Sequence, residues 1–401
     1  MLHSCATITV CDPIVGLVCV HRLNGCEDVV GCTQARYDHH DLIDEIIERV
    51  RVQIEPCDKL SSTAGFMQYY SVCGSAGGGL AAASAEALKR EFPKVPLFGF
   101  NLSPSRQIHN GPIEPYNVVL SQYWLMEHED LQICLDNESL WDYHARWRRQ
   151  QPGGANFKDI NELVADFAAT ITSASRFDGP LPMSLSDILT NVVPYPRTHY
   201  LLPAMASSER SDGGCGAGAG DAASQLSTLQ LWTRMWEPSS FLVKTEPRCA
   251  KHYANVTALV GRGQQPSVAH ALDAVRYVEA SPQLMHTGGF YNPRAAARKF
   301  NLSKLSICAT PCVEGDPSTS SASSAMLLNC GAAGEILERR TDAFDRLYAK
   351  RSHIHWLNTF CSSGEFSLAR EEMSALHFEY NYQWSRDLGA WQASAAAAED
   401  E

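Results

Sequence analysis

The stretch that most constrains this chain is residues 155–200, ANFKDINELVADFAATITSASRFDGPLPMSLSDILTNVVPYPRTHY. Ile160, Leu163, Val164, Phe167, Ala168 and Ile171 recur at helical spacing, and Asn156 stands ahead of them in the place of an N-cap. The spacing predicts one long amphipathic helix that must bury its apolar stripe against another layer. A second short helical run opens at Leu185. Pro194 and Pro196 then forbid helix and impose an extended path, because proline lacks an N–H and restricts the residue before it. Periodicity alone says no more than a core helix followed by a proline-punctuated connector.

A chain of 401 residues with 45% hydrophobic content buries a sizeable core and ordinarily divides into two or three domains. Its net charge of -12 argues against nucleic acid or an anionic membrane as partner, and points to proteins or a small ligand. Asp12 interrupts the apolar opening segment, so no secretory signal is read there, and the 14 cysteines are expected to be reduced cytosolic thiols. Cys308-x-x-x-Cys312, His39-His40 and His353-x-His355 each lack a second ligand pair, so no metal site is expected from them.

Taken in order, residues 1–40 hold two short apolar runs, ITV and IVGLVCV, which read as strands. Residues 41–58 read as an amphipathic helix with Leu42, Ile43, Ile46, Ile47 and Val50 as its buried stripe. Next, GFMQYYSVCGSAGGGLAAASAEALKREFP reads as strand, glycine turn and helix, stopping at Pro93. Such a turn suits an anion, because glycine lets the backbone approach closely and the helix N-terminus offers free N–H groups and a favourable dipole. A tight turn with no ligand is the plainer alternative. Gly77-x-Gly79-x-x-Ala82 also fits a loose dinucleotide pattern, which needs an acid ending the next strand. That strand, read as Val95 to Phe100, ends at Asn101, which places the dinucleotide reading lower.

Residue identities carry the reading further. In RFDGPLPMSLSDILTNVVPYPRTHY, the residues Arg176, Phe177, Gly179, Leu181, Leu185, Asn191, Val193, Pro194, Pro196, Arg197 and His199 stand as in the segment that follows the central helix of tubulins, and the chain resembles that family from about residue 41 onward. The resemblance implies an α/β, tubulin/FtsZ-like fold. Its parts are a parallel-sheet nucleotide-binding domain over 1–154, incomplete at its amino-terminal side, a central helix over 155–175, an α+β intermediate domain over 176–330 with a flexible loop at 206–225, and a helical pair within 331–401. The family's GQxGNQ phosphate loop and acidic magnesium-holding loop find no counterpart here.

The resemblance also implies a guanine nucleotide, GTP or GDP, and site residues for it. Cys73–Gly79 aligns with the family's GGGTGSG loop, which assigns phosphate contact to Ser71, Gly74, Ser75, Ala76, Gly77, Gly78 and Gly79. Cys73 and Ser75 replace glycines, Ala76 replaces a threonine and Gly78 a serine, so backbone binding is kept while side-chain help is reduced. Glu114 falls where a carboxylate meets the ribose diol. Asn137 and Asn161 fall where amides read the guanine edge, offering the donor and acceptor it requires, and Phe157 where a ring stacks on the base. Mg2+ is admitted as a companion ion with no ligands identified.

Asp187 takes the region of a carboxylate that acts on the nucleotide of the next subunit, on a shorter arm and without its usual companions. The implied partners are other tubulins through 176–190, and centriolar or microtubule-associated proteins. EFPKV, ITSASRFDGPL, HYLL and RLYAKRSHIH resemble the epsilon class, with zeta and delta close behind, which implies cytoplasm and cytoskeleton, at centrioles or basal bodies. Two functions stand side by side: a GTP-binding cytoskeletal subunit with slow hydrolysis, and a nucleotide-independent pseudo-GTPase serving as a protein-binding module. The missing loops favour the second if Met1 is the true start.

Overall fold

The computed structural model describes residues 7–11, 17–19, 32–37, 40–55, 65–103, 111–147, 156–176, 183–193, 195–207, 228–235, 237–245, 254–260, 301–307, 323–358 and 361–380. The two amino-terminal apolar runs are strands, β1 (Thr7–Cys11) and β2 (Leu17–Cys19). Two helices follow, α1 (Cys32–Tyr37) and α2 (His40–Ile54). The next units alternate strand and helix: β3 (Gly65–Ser71), α3 (Ser75–Glu91), β4 (Leu97–Ser103), α4 (Glu114–His128), β5 (Leu131–Asp136) and α5 (Asn137–Trp147). Then come α6 (Phe157–Arg176), α7 (Leu185–Val192), β6 (Tyr200–Ser207), α8 (Thr228–Met235), β7 (Ala254–Val260), β8 (Asn301–Ile307), β9 (Ser323–Cys330) and α9 (Ala332–Tyr348). A last helix, α10, covers 363–380.

Among the described residues the strands form one sheet in the order β2-β1-β3-β4-β5-β6-β9-β7-β8. β3, β4, β5 and β6 are mutually parallel, as strand–helix alternation demands. β1 and β9 pair antiparallel with their neighbours β3 and β6.

Both faces of the sheet are covered, which explains why its central strands are almost wholly buried. On one face Phe66, Tyr70, Leu97, Cys134, Tyr200 and Leu202 pack against α2, α3, α4, α9 and α10. On the other, Met67, Phe98, Phe100, Ile133 and Leu201 pack against α5, α6 and α7. The alternation along β3 to β6 is the period of two that a strand imposes.

The long helix is present as the spacing predicts, with Ile160, Leu163, Val164, Phe167, Ala168 and Ile171 all buried. Asn156 does sit at its start, and the Asp159 carboxylate accepts the Asn156 N–H at 2.7 Å. The carboxy-terminal helices meet through Phe344, Tyr348 and Phe366, and Tyr116 of α4 completes that aromatic cluster.

Several boundaries differ from the sequence reading: the central helix covers Phe157–Arg176 rather than 155–175, and β4 starts at Leu97 rather than Val95. β4 runs to Ser103 rather than Asn101, because its outer residues remain in register with Asp136 of β5. β6 extends to Ser207, so residues 206 and 207 are strand rather than loop, held by pairing with β9. The amphipathic helix ends at Ile54. The rest of the 206–225 loop, and Cys57-Asp58, Cys308 and Cys312, lie outside the described residues.

Candidate functional site

Parallel strands deliver their carboxyl ends to one edge, and in doubly covered sheets that edge is where ligands bind. Here Ser71 ends β3, Ser103 ends β4 and Asp136 ends β5, with Ser71 opposite Leu102 and Ser103 opposite Asp136. The glycine turn crosses this edge. Its Val72 N–H is tied to the Leu102 carbonyl at 3.3 Å, and the Cys73 N–H to Ser71 Oγ at 3.3 Å.

Gly74 then occupies the N-cap of α3 in an extended conformation, and no side chain caps the helix. The N–H groups of the first turn, at Gly74, Ser75, Ala76 and Gly77, are those that an α-helix leaves without an internal partner. They lie at the carboxyl edge of the strands, and the positive end of the helix dipole lies with them.

The glycines of the turn have a packing explanation as well. A Cβ on Gly79 would overlap the carbonyl oxygen of Cys32 in α1, and one on Gly78 would overlap the Ser121 hydroxyl of α4. A Cβ on Gly77 would stand 3.1 Å from the Ser71 carbonyl oxygen. Gly77 is therefore the glycine tied most closely to the turn itself, while Gly78 and Gly79 let α3 seat against its neighbours.

Glu114 opens α4 and is buried, and its charge acts on Cys73, so the carboxylate lies near the turn. Burial pushes the Cys73 thiol up to about 12, which makes it an inert thiol whose sulfur donates to the Leu102 carbonyl at 3.6 Å.

Asp136 accepts the Glu138 N–H at 3.0 Å, and burial raises its carboxyl to about 6. Asn137 follows directly as the first residue of α5. Trp141 of α5 meets Phe157 of α6 edge-on, with ring centroids 5.7 Å apart, so the starts of those helices are neighbours. Phe157 is 50% exposed, and Asn161 sits half-buried one turn further on. The predicted phosphate, ribose and base residues are thus distributed along one end of the domain.

Comparison with known proteins identifies the family. Residues 31–144 match the GTPase domain model of the tubulin/FtsZ family. The chain is 30% identical over 375 residues to a tubulin alpha chain of Trypanosoma cruzi, spanning 90% of this chain and 74% of that one. It is 31% identical over 352 residues to the tubulin alpha-3 chain of Zea mays, spanning 85% and 71% of the two chains. A third relative, the tubulin alpha-2B chain of Physarum polycephalum, is 31% identical over 376 residues, with 90% and 75% covered. This chain belongs to the tubulin/FtsZ family.

In this tubulin-family chain Asp187 lies far from the glycine turn, at the amino ends of the strands. Leu185, two residues before it, approaches Gly65 at the start of β3. Ser184 caps α7 by accepting the Asp187 N–H at 3.1 Å, and the Asp187 carboxylate accepts the Ser184 N–H at 3.0 Å, a reciprocal capping box. The cap engages one oxygen of this carboxylate, Oδ2.

A cavity of about 1040 Å³ lies at the same edge, lined by Met126, Asp130, Leu189, Thr190, Arg197 and Glu372. Among the described residues, no group of three or more His, Cys, Asp or Glu is placed to hold a metal, and no helix is long and apolar enough to cross a membrane.

One feature escaped the sequence reading. Gln68, Asn101 and Gln132 stand on three adjacent strands and point to the α4 face, where Gln122, Tyr200 and Arg340 join two of them. Asn101 Nδ2 donates to Gln122 Oε1 at 2.8 Å and Gln122 Nε2 to Gln132 Oε1 at 2.6 Å. Arg340 donates to both Gln122 Oε1 and Ser103 Oγ. The signal was there: each of three apolar strands carries one amide at an inward position.

Proposed function

We propose that this tubulin-family chain binds a guanine nucleotide in the crevice between the glycine turn and the starts of α5 and α6. The phosphates would lie on the N–H groups of Gly74 to Gly77, the ribose would meet Glu114, and the base would lie between Phe157 and the amides of Asn137 and Asn161. The observation that carries this reading is the uncapped N-terminus of α3 at the carboxyl edge of the parallel strands. Denaturing the purified protein and chromatographing what it releases tests the reading. Guanine nucleotide near one per chain is expected, and a chain that holds none and takes up none contradicts it.

As a cytoskeletal function we propose a constituent or organiser of microtubules that meets other tubulins through 176–190. The epsilon-like runs, RLYAKRSHIH and ITSASRFDGPL among them, support placement at centrioles or basal bodies. A fluorescently tagged chain is expected to mark centrioles in ciliated cells, and uniform incorporation along cytoplasmic microtubules would exclude that assignment.

Two observations favour a weak or absent GTPase within this function. Ala76 offers no hydroxyl to a phosphate, and the Asp187 carboxylate sits on a shorter arm with one oxygen held in its capping box. Nucleotide would then serve as a bound structural ligand, and the chain would act through its protein contacts.

A further inference from the structure

We propose that Arg340 is the resident cation of the crevice, acting through Ser103, whose hydroxyl donates to the phosphates of the bound nucleotide. The inference rests on the nucleotide reading above and adds two residues to it. Arg340 projects from α9 and is only 5% exposed. Its two terminal nitrogens donate to neutral oxygens, Gln122 Oε1 and Ser103 Oγ, and its Nε has no hydrogen-bond partner among the described residues. No carboxylate of the described residues forms an ion pair with it. Asp136, at the end of β5 opposite Ser103, is offset by Arg339 and Lys244.

A guanidinium taken out of water without a counter-ion is costly, on the order of several kcal/mol. Proteins that tolerate such a charge ordinarily supply an anion for it. Here the anion has a defined place. Ser103 ends β4 beside the glycine turn, since Leu102 accepts from Val72 and Cys73 of that turn. The positive charge of Arg340 is felt at Cys73, where it opposes the charges of Glu114 and Asp136.

The chemistry at Ser103 has one outcome. A hydroxyl that accepts from a guanidinium keeps a single proton to give, and its donation is strengthened by the charge behind it. Together with the first-turn N–H groups of α3, Ser103 Oγ–H makes a second donor aimed from the strand ends. Arg340 is thus a positioning and charge-supplying residue, and a nucleoside di- or triphosphate is the anion it fits.

The test is a competition series with guanosine, GMP and GDP against a fluorescent GDP probe, on the full chain and on Arg340→Met, Arg340→Lys and Ser103→Ala. In the wild type, affinity is expected to climb with phosphate number. Arg340→Met is expected to lower GDP affinity about tenfold or more while leaving guanosine unchanged, as befits a lost charge-assisted bond. Arg340→Lys should recover most of that loss, and Ser103→Ala combined with Arg340→Met should cost little more than either alone.

Equal losses for guanosine and GDP, or unchanged GDP affinity in both Arg340→Met and Arg340→Lys, would overturn the proposal. Should Arg340→Met fail to fold, the Ser103→Ala series decides alone. A phosphate-dependent loss there supports the proposal, and none overturns it. A wild type that binds neither GDP nor guanosine removes the nucleotide reading itself, a result distinct from a binding wild type with indifferent variants.

Discussion

The two edges of the parallel sheet treat their polar groups in opposite ways. At the amino ends of the strands, several charged side chains pair with one another, while Glu129 Oε1 and His199 Nε2 have no partner among the described residues. Lys89 pairs with Asp130 at 2.5 Å, Arg197 reaches Glu372 and Glu379, Asp187 and Ser184 close a capping box, and Tyr70 donates to the buried Glu129 at 2.8 Å. At the carboxyl ends, the first turn of α3 has no side-chain cap and Arg340 has no acidic partner among the described residues. A folded chain satisfies its buried polar groups wherever it can. The open donors at the carboxyl ends are what the proposed nucleotide site rests on.

The comparison explains why departures from the family pattern matter differently at the two places. The glycine turn lost a threonine and gained Cys73, yet the backbone N–H groups proposed to hold phosphate are spared by such changes. α7 kept a carboxylate at Asp187, and there one oxygen is held by the Ser184 N–H of the helix cap.

The comparison can be broken by mutation. The largest effect is expected from Gly79→Val, because the added side chain overlaps the Cys32 carbonyl and must part α1 from α3. A loss of about 3 kcal/mol or more is expected in urea unfolding. A loss below about 1 kcal/mol would show that α1 yields and that Gly79 is not needed for packing.

Next comes Glu129→Gln, which probes the closed edge. Burial holds the Glu129 carboxyl well above its ordinary 4.5, so the native state keeps a proton that the unfolded chain has released. That stability is fully present below about pH 4.5 and is lost as pH rises through the native value. The wild type should therefore weaken relative to Glu129→Gln above pH 4.5, by up to about 1.4 kcal/mol per pH unit. Parallel stability curves for the two proteins would mean that Glu129 is not protonated in the native state.

Asp187→Ala should cost about 1 kcal/mol from the lost cap and leave guanine-nucleotide binding unchanged. A fall in GTP turnover of assembled protein, beyond what the stability loss explains, would restore a catalytic role to this residue. Smallest is Ala76→Thr, which returns a hydroxyl to the open edge. A gain of about threefold to tenfold in GTP affinity is expected, whereas no gain would mean that the phosphates do not reach the first turn.

Much of the fold was legible because it rests on apolar period. The stripe of Ile160 to Ile171, the α2 stripe and the helical pair around Phe344 and Phe366 all bury as their spacing demands. Strand ends were less legible. Asn101 is polar enough to read as a stop, yet its Nδ2 donates to Gln122 and Gln132 and the strand continues. For the glycine turn, Glu114, Asn137, Phe157 and Asn161 the family resemblance supplies the assignment in chain order, and the fold places Asn137 at the start of α5 and Phe157 at the start of α6. Ser103 and Arg340 were not assigned. Their pairing joins residues 237 positions apart, and no local pattern encodes it.

The central claim is that the open edge holds a guanine nucleotide by its phosphates. Its most direct test is an equilibrium titration of the purified chain with fluorescent GDP, competed by GDP, ATP and guanosine. Saturable binding is predicted, with GDP competing strongly, guanosine weakly and ATP not at all. Absence of binding, or guanosine competing as well as GDP, would contradict it.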